Sequence, residues 1–317
     1  MSQGVHLLVP FAACDAAGCR QRLRSLALPQ LSALLARMAP VAEDAGSPHD
    51  LSMPHERVLA RAAGLWPGDG RVPGAAWQLR RQGEDPGEAA WAWITPCHWA
   101  VGQDHIRMQP PEALSLAEDE SRALLAAMQP YFEEDGLALR YEQPTRWLAR
   151  GEPLRALACA SLDRVSGSVV DEWLPRAPEA RPLRRLQQEM QMLLYTHAVN
   201  EAREARGLPP VNSFWVSGAG ALAAGATPAE PAMQLQDALR APALAGDWEA
   251  WAQAWQTLDA TVLAPLRAAL ERGEPLTLTL CGDAIARRWA PAPRGLWQRL
   301  SGLWRAAPPA ARELDTL

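Results

Sequence analysis

The densest set of side chains able to ligate a metal or carry a nucleophile is Cys97-His98, followed by Asp104-His105. Thiolate, imidazole and carboxylate suit zinc and similar ions, but a site needs three or four ligands converging. Residues 91–101 alternate with a period of two, which predicts a strand with a buried tryptophan face. On a strand, Cys97 and His98 point to opposite faces, so they serve neither one ion nor as nucleophile and base without a bulge. A second group, His197, Asn200 and Glu204, is spaced by three and four residues, as on one helical face. Asn200 near the core must find partners for its amide, and Asn212 lies just beyond the next turn. Third, Gly218-Ala219-Gly220 follows the apolar Phe214-Trp215-Val216, like the start of a dinucleotide-binding turn. Ala223 stands at the third position of that pattern and Pro228 shortens any following helix, so a tight structural turn is the competing expectation.

All 31 basic residues are arginine. Lysine Schiff-base chemistry and the lysine of a phosphate-binding loop are thereby excluded, and arginine is the only permanent cation for an anionic ligand. The five cysteines, Cys14, Cys19, Cys97, Cys159 and Cys281, are scattered, without a CxxC pair or zinc-type spacing. Reduced, mostly buried thiols are expected.

The elements that position these groups follow from periodicity. Val5 to Pro10 is an apolar strand before a loop, and Leu31, Leu34, Leu35 and Met38 have helical spacing after Pro29. Ser52 can cap a helix carrying Val58, Leu59 and Ala62 and ending at Gly64. Residues 66–88 look like a surface loop. Gly102-Gln103-Asp104-His105 is turn chemistry, making Ile106-Arg107-Met108 a hairpin partner. Ser115 and Glu118 have capping-box spacing ahead of Leu124, Leu125, Met128 and Tyr131. Strands are expected at Leu137–Tyr141, Arg146–Arg150 and Leu276–Cys281. One long helix from about Pro182 to Arg206 carries Leu183, Leu186, Met190, Leu193 and His197. Another, capped by Asp247, carries Trp248, Trp251, Trp255, Leu258 and Val262 and kinks or restarts at Pro265. The tryptophan stripe reads as core or partner-facing. In the tail, Trp297, Leu300 and Trp304 could dock a partner or a membrane surface.

The chain has 317 residues, 48% hydrophobic and 21% charged, the mix of a globular protein with a sizeable core. A net charge of -5 gives no electrostatic reason to bind nucleic acid or an anionic membrane. No run of about 18 apolar residues predicts a membrane span, and Met1-Ser2-Gln3-Gly4 lacks the basic region of a signal peptide, so a cytoplasmic location is expected.

Thr196-His197-Ala198-Val199-Asn200, then Arg203, Gly207, Pro209, Asn212 and Trp215 to Gly220, resembles a segment of archaeal-type cofactor-independent phosphoglycerate mutases. Thr145 to Leu148 is similar to that family's tyrosine-arginine strand, and Ser161-Leu162-Asp163, Gly167 and Leu174-Pro175 to its PPHD…G…LP segment. Asp259 within Trp255–Leu266, and Leu276 to Asp283, resemble the last helix and strand of its alkaline-phosphatase-like core, and Leu28 to Leu31 its first helix. Over nearly its full length the chain resembles proteobacterial RpfE-type regulatory proteins, through Met53-Pro54-His55-Glu56, Trp93 to Trp99 and the asparagine-rich segment.

That resemblance implies an α/β fold: a phosphoglycerate-mutase-like core from residues 1–115 and 210–295, a smaller inserted α+β segment at 116–209, and a tail at 296–317. Mutases of this type use two metal ions and a serine nucleophile, because the ions both lower the charge and orient the displacement. Here Val9-Pro10-Phe11-Ala12 replaces the first metal-binding Asp-Gly, Leu162 replaces the histidine of PPHD, and Ala284 follows Asp283. The implied protein is a regulatory or ligand-binding one without catalytic residues, metal or cofactor. It would bind a small phosphorylated or anionic ligand, or a regulatory protein partner, through Arg146, Asp163, Asn200, Arg203, Asn212, Gly218 and Gly220. The alternative is a metal-dependent phosphomutase or phosphatase with ligands rebuilt from His55, His98, Asp104, His105 and Asp283.

Overall fold

The computed structural model describes residues 4–292 and 310–317. Trp297, Leu300 and Trp304 therefore lie outside the described residues. In chain order the strands are β1 (Val5–Val9), β2 (Met38–Ala45), β3 (Trp91–Cys97), β4 (Trp99–Val101), β5 (Ile106–Met108), β6 (Ala138–Gln143), β7 (Arg146–Arg150), β8 (Ser213–Gly220), β9 (Gln234–Leu235), β10 (Leu276–Cys281) and β11 (Ile285–Pro291). The helices are α1 (Ala17–Ser25), α2 (Pro29–Leu35), α3 (Pro54–Ala62), α4 (Gly74–Arg81), α5 (Glu118–Glu134), α6 (Leu162–Val165), α7 (Arg181–Tyr195), α8 (Ala198–Ala205), α9 (Arg240–Ala245), α10 (Trp248–Leu258), α11 (Ala264–Glu271) and α12 (Ala310–Leu314).

The chain divides into two compact units, one of Met1–His49, Met53–Leu59 and Glu230–Leu317, the other of Asp50–Ser52 and Ala60–Ala229. The first unit holds a five-stranded sheet of order β2-β11-β10-β1-β9. Its β1 runs parallel to β10 and β9, while β10 with β11 and β11 with β2 are antiparallel. Because β1 is interior to the sheet, Leu7, Leu8 and Val9 are all buried, matching the unbroken apolar run. One face packs Leu23, Leu31, Leu34, Trp251, Trp255 and Leu258 from α1, α2 and α10. The other packs Leu8, Cys281 and Ala286 against Val58 of α3.

Asp259 is buried and accepts the Leu31 amide at 2.8 Å and the Gln30 amide at 3.1 Å, capping the open start of α2. After Asp247 caps α10 by accepting the Ala250 amide at 3.0 Å, a π-helical turn at Asp259–Leu263 leads into α11. Pro265 falls in the first turn of α11, where its missing N–H breaks no bond. The α-helical pattern thus resumes at Ala264 after a π-helical turn, beside the Pro265 where the sequence predicts a kink or a restart.

The second unit holds an antiparallel sheet of order β6-β7-β3-β8 and the short ribbon β4-β5. One face of the sheet packs Ile94, Trp147 and Phe214 against Leu124, Met128 and Phe132 of α5 and Leu186, Met190 and Leu194 of α7. The opposite face is covered by Ala75 and Leu79 of α4 with Leu148. Since β3 and β8 pair directly, residues 91–97 and 213–220 belong to this unit's sheet, whereas the expected bounds put them with the core of 1–115 and 210–295.

Several local expectations are corrected. Residues 66–88 contain α4, whose Ala75, Ala76 and Leu79 are buried; the flanking glycines and prolines hide its short apolar stripe. The predicted helix over 182–206 is two helices, because His197 caps α8 by accepting the Val199 amide at 3.2 Å on Nδ1. Met38 begins β2 and does not extend the helix. The α5 start is at Glu118, with Glu120 accepting the Ala117 amide at 3.1 Å, while Ser115 takes a left-handed φ of 46° after the preceding turn. Tyr131 is exposed and Phe132 takes the core place. Along β3, Trp91 and Trp93 are only half-buried, while Ala92 and Ile94 are fully buried, because α5 and α7 cover the aliphatic face.

Candidate functional site

Within the second unit an open cleft of about 350 Å³ lies among the β4-β5 ribbon, the end of α7, α8 and the segment entering β8. Trp99, Val101 and Ile106 come from the ribbon; Gln191, Leu194 and Tyr195 from α7; Asn200 and Glu204 from α8; Pro210 and Asn212 from the segment before β8. Val101 and Tyr195 are each 82% exposed, an unusual fate for large apolar groups, and flank a wall whose floor residue Leu194 is buried. The lining carries one carboxylate, that of Glu204, and no arginine.

The ribbon owes its position to two side chains. Asn212 accepts the Trp99 amide at 2.7 Å on Oδ1 and donates to the Trp99 carbonyl at 3.0 Å, so its carboxamide acts as an extra strand residue. His98 donates from Nδ1 to the Pro210 carbonyl at 2.8 Å. Turn chemistry at Gly102 to His105 closes the ribbon as expected, pairing Trp99 with Met108 and Val101 with Ile106.

Asn200 is buried and fully bonded: Nδ2 donates to the Leu194 carbonyl at 2.8 Å and the Val211 carbonyl at 2.7 Å, and Oδ1 accepts the Val211 amide at 2.8 Å. It stitches α7, α8 and the entry to β8 together. Arg203 is wholly buried, donating Nε to the Pro209 carbonyl at 2.9 Å, Nη1 to Glu120 at 2.5 Å and Nη2 to the Leu114 carbonyl. Glu120 also accepts from Arg206. Burial alone would raise the Glu120 pKa, but its bonds to Arg206, Ala117 and Arg203 outweigh that and hold the carboxyl below its ordinary value.

Asn200 and Asn212 thus meet at one cleft, with Arg203 behind Asn200 on α8. Arg146 and Asp163 are not among the lining residues. Arg146 donates to Glu142 at 2.8 Å at the β6-β7 turn, and Asp163 lies half-buried in the first turn of α6, which Ser161 caps.

Gly218 and Gly220 belong to β8 itself. Trp93 pairs with Ser217 and Trp91 with Gly220, so β8 carries one extra residue, a bulge in which Gly218 has φ 61°. A Cβ at Gly218 would lie 2.5 Å from the Trp93 ring, and one at Gly220 would lie 3.0 Å from Pro73. No α-helix follows before α9, and β8 is the edge of an antiparallel sheet, so the rule that ligands sit at parallel strand ends does not apply. The glycines are explained by close packing.

The metal-capable residues are also placed. Among the described residues, His98, Asp104 and His105 do not gather into a three-ligand group. His105 accepts from Arg107 Nε at 3.0 Å on the exposed ribbon turn. Cys97 is fully buried, and burial drives its thiol pKa far up, excluding a thiolate nucleophile. In the first unit, His55 lies 5.5 Å from the Phe11 ring, and Asp283 accepts the Asp15 amide at 2.7 Å. Trp251 and Trp255 are core, donating to the Phe11 and Ala12 carbonyls at 3.0 and 3.1 Å.

Sequence reasoning missed Val101, Ile106 and Tyr195 as cleft residues. Their apolar type beside a predicted turn and helix end was the available signal, but which wall they face depends on Asn212 and His98 fixing the ribbon.

No family model matches the chain. No curated protein matches it either. Among solved structures it is similar to a cofactor-independent phosphoglycerate mutase from Thermoplasma acidophilum DSM 1728, with 14% identity, 91% of this chain and 89% of that chain covered, and a TM-score of 0.36. It is also similar to the PH0037 protein from Pyrococcus horikoshii, with 13% identity, 92% and 88% coverage and a TM-score of 0.42. The fold is mixed α/β, with helices flanking its sheets. Among the described residues, no helix is long and apolar enough to cross a membrane.

Proposed function

We propose that this chain is a non-catalytic, regulatory ligand-binding protein of the RpfE type, a degenerate relative of phosphoglycerate mutases acting in the cytoplasm, and that its ligand occupies the cleft beside Asn212. The observation that carries this reading is the use made of the resembling residues. Asn200, Arg203 and Asn212 spend their hydrogen bonds on main-chain groups and Glu120, so they build a cleft wall and have no fork left for a phosphate.

The same accounting moves the ligand away from the anion that the arginine content suggests. An anion at Arg203 would have to displace Glu120 and two carbonyls from a buried guanidinium. The lining of Trp99, Val101, Ile106 and Tyr195, with Gln191, Glu204 and Asn212 as polar groups, instead suits an aromatic or aliphatic body bearing a hydrogen-bond donor.

The test is metal analysis of the purified protein together with phosphatase and mutase assays in added manganese. No stoichiometric metal and no turnover is the expected result. Tightly bound metal with turnover overturns the reading in favour of rebuilt ligands and a phosphomutase or phosphatase.

A further inference from the structure

The β4-β5 ribbon leaves one edge open beside the cleft. In an antiparallel pair, main-chain groups bond across the pair at every second residue and turn outward at the residues between. The Gln109 amide donates to the His98 carbonyl at 3.0 Å and the Gly102 amide to the His105 carbonyl at 2.9 Å, so His98, Ala100 and Gly102 are the residues that bond across the ribbon. Trp99 and Val101 therefore turn their N–H and C=O groups outward on one side, and Met108 does so on the other. Met108 uses its pair on the segment after α6, donating to the Ser168 carbonyl at 3.1 Å and accepting the Gly167 amide at 2.8 Å. Trp99 uses its pair on the Asn212 carboxamide. Val101 is the next outward residue on the Asn212 side, and among the described residues its N–H and C=O meet no hydrogen-bond partner.

We propose that a partner protein binds here by strand addition: an extended segment, carrying an apolar side chain beside an arginine or lysine, pairs its main chain with Val101 and continues the line that the Asn212 carboxamide begins. This segment is the ligand of the cleft proposed above, on which reading the inference rests. One residue of the segment supplies the N–H and the C=O that the two open groups of Val101 lack. The surface it would cover is apolar: Val101 and Tyr195 are each 82% exposed, and Met192, one turn before Tyr195 on α7, is 74% exposed. Its charge is fixed by Glu204, the carboxylate of the lining. Glu204 is exposed in the last turn of α8, and among the described residues no arginine pairs with it. The carbonyl end of α8 adds negative potential at the same point, so a cationic side chain is attracted and an acidic segment is repelled.

The test measures fluorescence polarisation of the full chain with positional-scanning pools of labelled hexapeptides, and calorimetry with tyramine as a small-amine probe. Pools fixing arginine or lysine, and pools fixing an aliphatic or aromatic residue, are expected to bind. In the hexapeptide that combines them, N-methylation of each amide in turn should find one position that weakens binding about tenfold without altering a side chain. Val101→Pro removes the open donor at an edge position that tolerates proline, and should weaken the hexapeptide about tenfold while tyramine still binds. Glu204→Gln should weaken it by a similar factor. Tyramine binding with no pool bound overturns strand addition and leaves the cleft reading standing. A hexapeptide indifferent to both N-methylation and Val101→Pro overturns it equally. If neither the pools nor tyramine bind, the cleft reading falls with it.

Discussion

The Glu120 carboxylate meets the wholly buried Arg203 guanidinium at 2.5 Å, tying the first turn of α5 to the last turn of α8. Removing one partner strands the other charge away from water. Glu120→Ala is therefore expected to cost about 3–5 kcal/mol, read as a fall in the urea midpoint. Glu120 ionises more readily in the folded chain than in the unfolded one. Its contribution is present above the ordinary glutamate pKa of 4.5 and lost as pH falls through the depressed value. An unchanged acid limb in Glu120→Gln would contradict this.

Asn200→Asp keeps the size but replaces the two donors that serve the Leu194 and Val211 carbonyls with a buried carboxylate. Orphaned carbonyls and an unpaired charge should destabilise by at least about 2–4 kcal/mol. Equilibrium unfolding would show it, and a variant as stable as the parent would mean that α7 and α8 are held by packing alone.

At Gly218, alanine meets both the left-handed backbone and the Trp93 ring. Gly218→Ala is expected to lose about 1–3 kcal/mol, seen as a lower Tm. If the glycine served a nucleotide instead, stability would hold while nucleotide binding, measured by calorimetry, would be lost.

His6 faces the Thr279 hydroxyl at 2.8 Å across β1 and β10. Burial, with Arg288 adding to it, lowers its pKa from 6.5 to about 4. The folded state then binds fewer protons than the unfolded one between those values, so stability falls as pH drops from 6.5 towards 4, by on the order of 1–2 kcal/mol after allowing for partial exposure. In His6→Gln that slope should flatten in urea titrations across this window.

Tyr195 is 82% exposed at the cleft rim. Tyr195→Ala should leave the urea midpoint unchanged yet weaken an aromatic ligand about tenfold, near 1.4 kcal/mol. Calorimetry with aromatic amines checks it; equal affinity would remove Tyr195 from the binding surface.

Periodicity and local chemistry by themselves determined β1, β7, β10, the β4-β5 ribbon and the Asp247 cap, because an apolar run, an alternation or a cap acts within a few residues. They also marked Asn200 and Asn212 as asparagines needing partners. Tertiary structure decided which partners: the Val211 and Trp99 main chain, reached only once α8 and β8 pack. It also turned one predicted helix into two at His197, and a glycine pattern into a bulge under Trp93. Arg203 shows the reason most clearly. Its type announces a cation able to hold an anion, but the fate of its five N–H groups is set by Glu120, 83 residues away in sequence, and by burial that no local pattern encodes.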